Sequence, residues 1–242
     1  MSDASEPYTV SAEFYDLLQA EPDRRRAERR FAGAARRATL AVVEVGAGSG
    51  IVTQVLLAAA AVPVHAVEPS AAMRSLLLSR LASVGADRRA RVTVHPDPLQ
   101  EAGLTETADL VVASNVVAGL DPAARRAVWK AVATTLAPGG LLLFDPPPPA
   151  LPADREKVGT LGPVRVGPDH YLADVSRTPD RGIIRMEFSY RVERDGRVLR
   201  REREAFDLWP AAPDLIAEEL TAAGLRLVQA PEPDLMAARR PG

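Results

Sequence analysis

Two glutamates and three glycines have the types and the spacing to hold a ligand. The run Val42 to Val45 is apolar except for Glu44 and leads into Gly46-Ala47-Gly48-Ser49-Gly50, with glycine at every second position. A second apolar run, Val62 to Val67, ends in Glu68. A strand, a glycine turn, a helix and a second strand closing on an acid form an arrangement that holds a nucleoside. The glycines let backbone approach the ligand, and the acid accepts hydrogen bonds from ribose hydroxyls. The dinucleotide spacing G-x-G-x-x-G is not met, because its third position is Ile51 and the glycine falls one residue early. A charge at Glu44 is out of place in a buried strand, but a carboxylate there can meet an ammonium group on the ligand.

Glu44-x-Gly46-x-Gly48-x-Gly50 followed by Glu68 resembles the first two motifs of class I S-adenosylmethionine-dependent methyltransferases. The resemblance implies S-adenosyl-L-methionine as cofactor, with S-adenosyl-L-homocysteine as product. It implies a cofactor site built from Glu44, Gly46, Ala47, Gly48, Gly50, Glu68, Pro69 and Met73. Further along, Asp97 would face the adenine amino group, with Pro98 and Leu99 against the ring. Ser114 and Asn115 correspond to the motif near the donor methyl and the acceptor. Phe14-Tyr15-Asp16 resembles a segment that folds over the cofactor, where Tyr15 would bond the methionine carboxylate or the acceptor. The other reading of these aromatics is that they dock an N-terminal helix on the core. The resemblance spans roughly residues 10–240. Within it, Arg185-Met186-Glu187-Phe188 and Leu220 to Arg226 resemble bacterial small-molecule methyltransferases, nearest the N,N-dimethyltransferases of deoxyamino sugars in antibiotic pathways. Those tend to carry aspartate where this chain has Glu68, and Phe-His near Trp209-Pro210.

The elements that must position these residues alternate from 40 to 145. Strands are expected at 40–45, 64–68, 91–95, 108–113 and 140–145, with helices at 50–61, 71–84 and 122–136 between them. Asp121-Pro122 caps the last helix and Pro138-Gly139-Gly140 stops it. Such alternation gives a parallel sheet covered by helices, with ligands at the carboxyl ends of the strands. Residues 11–38 read as a helix, and the run Asp23 to Arg30 reads as its solvated face with Glu–Arg pairs. After Asp145-Pro146-Pro147-Pro148-Pro149, a stiff extended exit, residues 163–208 read as antiparallel strands turning at Asp195-Gly196. A helix at 212–223, stopped by Gly224, and strands at 225–230 and 234–239 finish the chain. The expected class is α/β, a Rossmann-like seven-stranded and mostly parallel sheet with helices on both faces, plus an antiparallel insertion after the fifth strand. Its segments are 1–38, an N-terminal helical lid; 39–145, the cofactor-binding core; 146–209, the insertion over the active site; and 210–242, the helix and strands completing the sheet.

Composition narrows the chemistry. The 242 residues carry a net charge of −2, which offers no broad electrostatic attraction for nucleic acid or anionic membrane. The absence of cysteine removes disulfides, thiol nucleophiles and zinc–thiolate sites, and no metal cluster is expected. No apolar run approaches the ~18 residues that cross a bilayer, and residues 1–6 do not read as a signal peptide, so a cytoplasmic protein is expected. His65 reads as structural and His95 as lining the adenine side. His170, in the insertion, and Tyr15 are the candidate catalytic groups, with Asp145 a further base for a hydroxyl acceptor. The expected activity is methyl transfer to an N or O nucleophile of a small molecule, a bacterial secondary metabolite or its sugar, by a monomer or homodimer. The rivals are an RNA or protein methyltransferase and a non-catalytic cofactor-binding module.

Overall fold

Five apolar runs form the expected parallel strands, and the computed structural model, which describes residues 8–242, arranges them in one sheet. The first seven residues of the 1–38 segment lie outside the described residues. The parallel strands are β1 (Val42–Val45), β2 (Val64–Val67), β3 (Val92–His95), β4 (Ala108–Ala113) and β5 (Leu136–Phe144), joined by β10 (Arg226–Val228) and β11 (Met236–Arg239). Their order is β10-β11-β5-β4-β1-β2-β3, with β11 antiparallel to β5 and to β10. The chain reverses its direction of winding between β1 and β4, which lie side by side in the middle of the sheet. In open α/β sheets the ligand crevice opens at this switch, outside the carboxyl ends of the strands.

Alternate residues of the strands face two apolar layers. Val42, Ala66, Leu110 and Val112 pack with α1 (Ser11–Ala35), α2 (Ile51–Ala59) and α3 (Ala71–Ala82). Val43, Val45, Val111 and Leu142 pack with α5 (Pro122–Thr135) and α6 (Pro213–Ala222). A one-turn helix, α4 (Ala86–Arg89), precedes β3. Asp121 caps α5 as its sequence requires, its carboxylate accepting from the N–H groups of Ala123 and Ala124. Among the described residues, no helix is long and apolar enough to cross a membrane.

The section after β5 is a separate antiparallel sheet of β6 (Glu156–Val166), β7 (Asp169–Asp180), β8 (Ile183–Arg194) and β9 (Arg197–Leu208), in that order. The turn at Asp195-Gly196 has positive φ at both residues, 49° and 74°, as a tight hairpin demands. Several boundaries depart from expectation. The sheet begins at Glu156 instead of 163, because β6 is an edge strand whose exposed first half lacks the alternation that marks a half-buried strand. Strand β5 begins at Leu136, which pairs with Ala108 before a register shift, so Pro138-Gly139-Gly140 lies within the strand segment instead of ahead of it. Helix α1 ends at Ala35, and β10 and β11 are shorter than their apolar runs.

Helix α1 joins the two sheets. Phe14 stacks on Tyr190 with centroids 4.4 Å apart, and the Arg200 guanidinium lies 5.3 Å over the Phe14 ring. Ser11 Oγ and Tyr190 Oη hydrogen-bond at 2.8 Å. Further along the helix, Ala27, Phe31 and Ala35 enter the core beside α2. Phe14 thus docks the helix on the insertion, as the second reading of the aromatics has it.

Candidate active site

The glycine loop is fixed by β2. The N–H groups of Gly46 and Ala47 both donate to the Val67 carbonyl at 2.9 Å. Gly46 has a φ of 69°, and a Cβ there would stand 2.4 Å from Val116 Cγ2, so the position admits glycine alone without displacing the loop after β4. Gly48, at φ 57°, has nothing within 4 Å of the place a Cβ would occupy. That side of the loop is open, as the approach of a ligand to bare backbone requires. Gly50 caps α2, whose first turn points at the same opening.

Two acids flank the loop. Glu44, only 1 % exposed, accepts a hydrogen bond from Thr53 Oγ1 at 2.6 Å. Burial pushes its carboxyl up to about 8, the Thr53 bond opposing the shift and the Glu68 charge adding to it. Glu68 closes β2 and is held at both oxygens by backbone, Oε2 by Gly48 N–H at 2.7 Å and Oε1 by Ser70 N–H at 2.8 Å. Burial raises its carboxyl too, against these bonds. Each oxygen keeps a further lone pair for a ligand hydroxyl.

Helix α1 supplies the opposite wall. Tyr15, Asp23, Arg26 and Ala27 line one cleft with Glu44, Gly46, Gly48, Ser49, Ser114 and Asn115. Tyr15 Oη donates to Asp23 Oδ2 at 3.4 Å, and Arg26 Nη1 donates to Asp23 Oδ1 at 3.0 Å. Burial, then the Asp23 charge, drives the Tyr15 phenol far above its usual range, so it serves as a hydrogen-bond donor and not as a base. Thr53, Asp23 and Arg26 were not foreseen from sequence. The signal for two of them was present: Asp23, Arg26, Ala27 and Arg30 recur at i, i+3, i+4 and i+7, an inward stripe that reads as solvated only because most of it is charged. Arg24 and Arg25, by contrast, pair with Glu21 and Glu28 in solvent.

The loop after β4 is set by the same helix. Asn115 adopts a left-handed φ of 58°, and its N–H donates to Asp145 Oδ2 at 2.9 Å. Asp145 Oδ1 is bonded by Arg30 Nη1, and Arg30, 8 % exposed, also donates to Asp234 Oδ2 through Nη2 at 2.6 Å. Both Asp145 oxygens are therefore committed to structure, which removes it as a base. His170 is not brought to the cleft. It lies exposed two residues beyond the Gly167-Pro168 turn, opposite Arg165 and Glu193 in the ladders. The expectation of a catalytic His170 gains no support, because His170 is not among the residues that line the cleft.

Beyond the ends of β2 and β3, Leu99 and Met73 are buried at 4 % while Pro69, Asp97 and Pro98 remain exposed. His65 Nδ1 and His95 Nε2 bond across β2 and β3 at 3.0 Å, and burial lowers both rings below their ordinary value. His95 is thus engaged by its neighbour strand. Above Glu68, Tyr8 packs on Phe206 of β9 at 4.8 Å, and its phenol is raised by burial and by the charges of Glu68 and Glu204.

Residues 43–142 match the family model of a methyltransferase domain. No curated protein matches the chain. Solved structures with the same fold include CalS10 of Micromonospora echinaspora, an amino pentose methyltransferase, with 22% identity over 95% of each chain and a TM-score of 0.68. DesVI of Streptomyces venezuelae is 19% identical over 96% of this chain and 98% of its own, with a TM-score of 0.74. The sugar N-methyltransferase KedS8 of Streptoalloteichus is 21% identical over 96% and 93%, with a TM-score of 0.66. A matching methyltransferase-domain model over β1 to β5, the strand order and the paired acids around an open glycine loop agree with the fold expected from the resemblance to class I S-adenosylmethionine-dependent methyltransferases.

Proposed function

We propose that the protein methylates an amine nitrogen of a small molecule, with an amino sugar of a bacterial secondary metabolite as the acceptor class. The observation that carries this reading is one face of the antiparallel sheet, tied through Tyr8 to the acid that closes β2. Register sets Phe188 and Phe206 on one face of the antiparallel sheet with Glu202 and Glu204, and Tyr8 connects that face to Glu68. Aromatic rings beside carboxylates suit a cationic amine carried on an apolar ring. The likeness to an amino pentose methyltransferase and a sugar N-methyltransferase supports the same class.

The residues fit the cofactor. Gly48 leaves bare backbone at an open face, Ser49 Oγ is buried without a partner at the same loop, and the carboxylates of Glu44 and Glu68 flank that loop. In this reading Glu44 meets the amino-acid end, with Gly46, Ala47 and Gly50 shaping the loop. Glu68 holds the ribose, Pro69 and Met73 support it, and Asp97, Pro98 and Leu99 hold the adenine. Ser114 and Asn115 border the reacting centre. S-adenosylmethionine, when bound, supplies a methyl group on a positively charged sulfur that leaves as a neutral thioether. The protein's own contribution is alignment and exclusion of water, with residues 1–38 as lid and 146–209 as cover over the 39–145 core, and 210–242 completing the sheet. An acceptor that binds as the ammonium gives its proton to solvent before attack, because the neutral lone pair is the nucleophile; Tyr15 donates a hydrogen bond and does not take that proton. We read the enzyme as cytoplasmic.

The test is a panel of amino sugars, matching hydroxyl sugars, RNA and protein acceptors, with release of S-adenosylhomocysteine as the readout. Turnover with amino sugars and none with their hydroxyl counterparts is expected. Turnover confined to hydroxyl or macromolecular acceptors would contradict the assignment.

A further inference from the structure

We infer that Arg80, in α3 and outside the cleft, is a positioning residue that fixes the glycine loop in the shape that receives the cofactor. The inference rests on the cofactor reading above and adds the group that preorganises that loop. The segment Gly46-Ala47-Gly48-Ser49-Gly50 has left-handed φ at all three glycines, 69°, 57° and 84°. Such a segment has many conformations open to it, and holding one of them costs entropy. A ligand binds more tightly where that ordering precedes its arrival.

The first half of the loop is held by β2, through the Val67 carbonyl and the Glu68 carboxylate. In the second half the restraint comes from Arg80. Its Nε donates to the Ser49 carbonyl at 2.8 Å, and the Gly50 N–H donates to the Ala47 carbonyl at 2.9 Å. That Ser49 carbonyl and that Gly50 N–H belong to one planar peptide unit, so the two bonds fix its rotation from both sides. Without Arg80 the unit is free to turn, because Gly50 tolerates either hand of backbone. Ser49 lines the cleft and Arg80 does not, so the bond draws the carbonyl to the α3 side.

Arg80 is itself held in place. Its side chain is 17 % exposed, and Nη2 pairs with Asp16 Oδ2 of α1 at 2.5 Å. The guanidinium fork serves a carbonyl and a carboxylate at once, in a geometry that a lysine ammonium does not reproduce. Helix α3 comes this near only because position 50 is bare: a Cβ there would stand 2.5 Å from Leu77 Cδ1 and 3.5 Å from Arg80 Cδ. One helix thus shapes the site from both of its ends. Ser70 N–H, at its N-cap, holds Glu68 Oε1, and Arg80, in its last turn, holds the Ser49 carbonyl.

The experiment compares wild type with Arg80→Met, which keeps the apolar stem and removes the guanidinium, and with Arg80→Lys. Amide hydrogen exchange of the ligand-free protein, followed by NMR, reads the Gly50 N–H. The Val42 N–H, bonded to the Pro63 carbonyl at 2.9 Å, is the reference for opening of the whole sheet. Calorimetric titration with S-adenosylhomocysteine reads affinity. In Arg80→Met, Gly50 should exchange about tenfold faster or more while Val42 stays within about twofold, the mark of local and not global opening. S-adenosylhomocysteine should bind about tenfold more weakly or worse, the scale of a hydrogen bond to a charged group. Arg80→Lys should fall between on both readouts. Equal acceleration at Gly50 and Val42 would mean a general loss of stability and overturn the inference. Unchanged Gly50 exchange would overturn it too, as would faster local exchange with wild-type affinity. Failure of wild type to bind S-adenosylhomocysteine would overturn the cofactor reading instead, whatever Gly50 does, and this inference with it.

Discussion

Glu44 stands in the central strand of a buried sheet, hydrogen-bonded to Thr53 and facing a cleft. With its carboxyl pushed up to about 8 by burial, it is largely protonated at neutral pH in the free protein. A ligand ammonium favours the ionised form, so binding should expel that proton. At pH 7, calorimetric enthalpies in buffers of different ionisation heat should report the release of about one proton per S-adenosylhomocysteine. Glu44→Gln should abolish the buffer dependence, and an unchanged slope would refute the role. The sign for stability follows from the same shift. The folded value lies above the usual 4.5, so the free protein loses stability as pH rises from about 4.5 to 8, and Glu44→Gln should flatten that decline. Glu44 and Glu68 were legible in the sequence because their neighbours along the chain explain them. Thr53 was not, since nothing local distinguishes it from other helix positions until α2 lies over β1.

At the scale of elements, α5 and α6 are fastened by a buried ion pair. Arg125, 1 % exposed, donates from Nε and Nη2 to the Glu219 oxygens at 2.8 and 2.9 Å, and Trp129 Nε1 adds a bond at 3.1 Å. Burial tends to raise the Glu219 carboxyl, but the Arg125 and Trp129 bonds outweigh it and hold the group below its ordinary value. This support is present at neutral pH and fades as pH falls through the lowered value. Glu219→Ala strands the guanidinium and should cost roughly 3–5 kcal/mol in urea unfolding. The pair Arg125→Met with Glu219→Leu should recover most of the loss; a loss near zero for Glu219→Ala would contradict this account. The helices were legible from caps and periodicity, Asp121-Pro122 above all. Their fastening was not, because 94 residues separate Arg125 from Glu219. The same distance effect hid the Arg30–Asp145–Asn115 chain, in which a helix residue sets a loop at the far end of β4.

Across the whole molecule, the parallel sheet, its reversal at β1 and β4 and the antiparallel cover were legible, because each follows from runs of apolar residues and turn residues between them. The placement of His170 was not, since it depends on which way a hairpin extends. The cofactor cleft depends on three bodies meeting: the glycine loop, α1 and the loop after β4. That assembly makes cofactor binding the most direct test. The measurement is calorimetric titration of the intact protein with S-adenosylhomocysteine, repeated with Glu68→Ala after its circular dichroism is matched to wild type. Saturable micromolar binding by wild type, weakened about tenfold or more in Glu68→Ala, is the predicted result. A folded wild type that binds nothing, or a Glu68→Ala protein with wild-type affinity, would contradict the central claim.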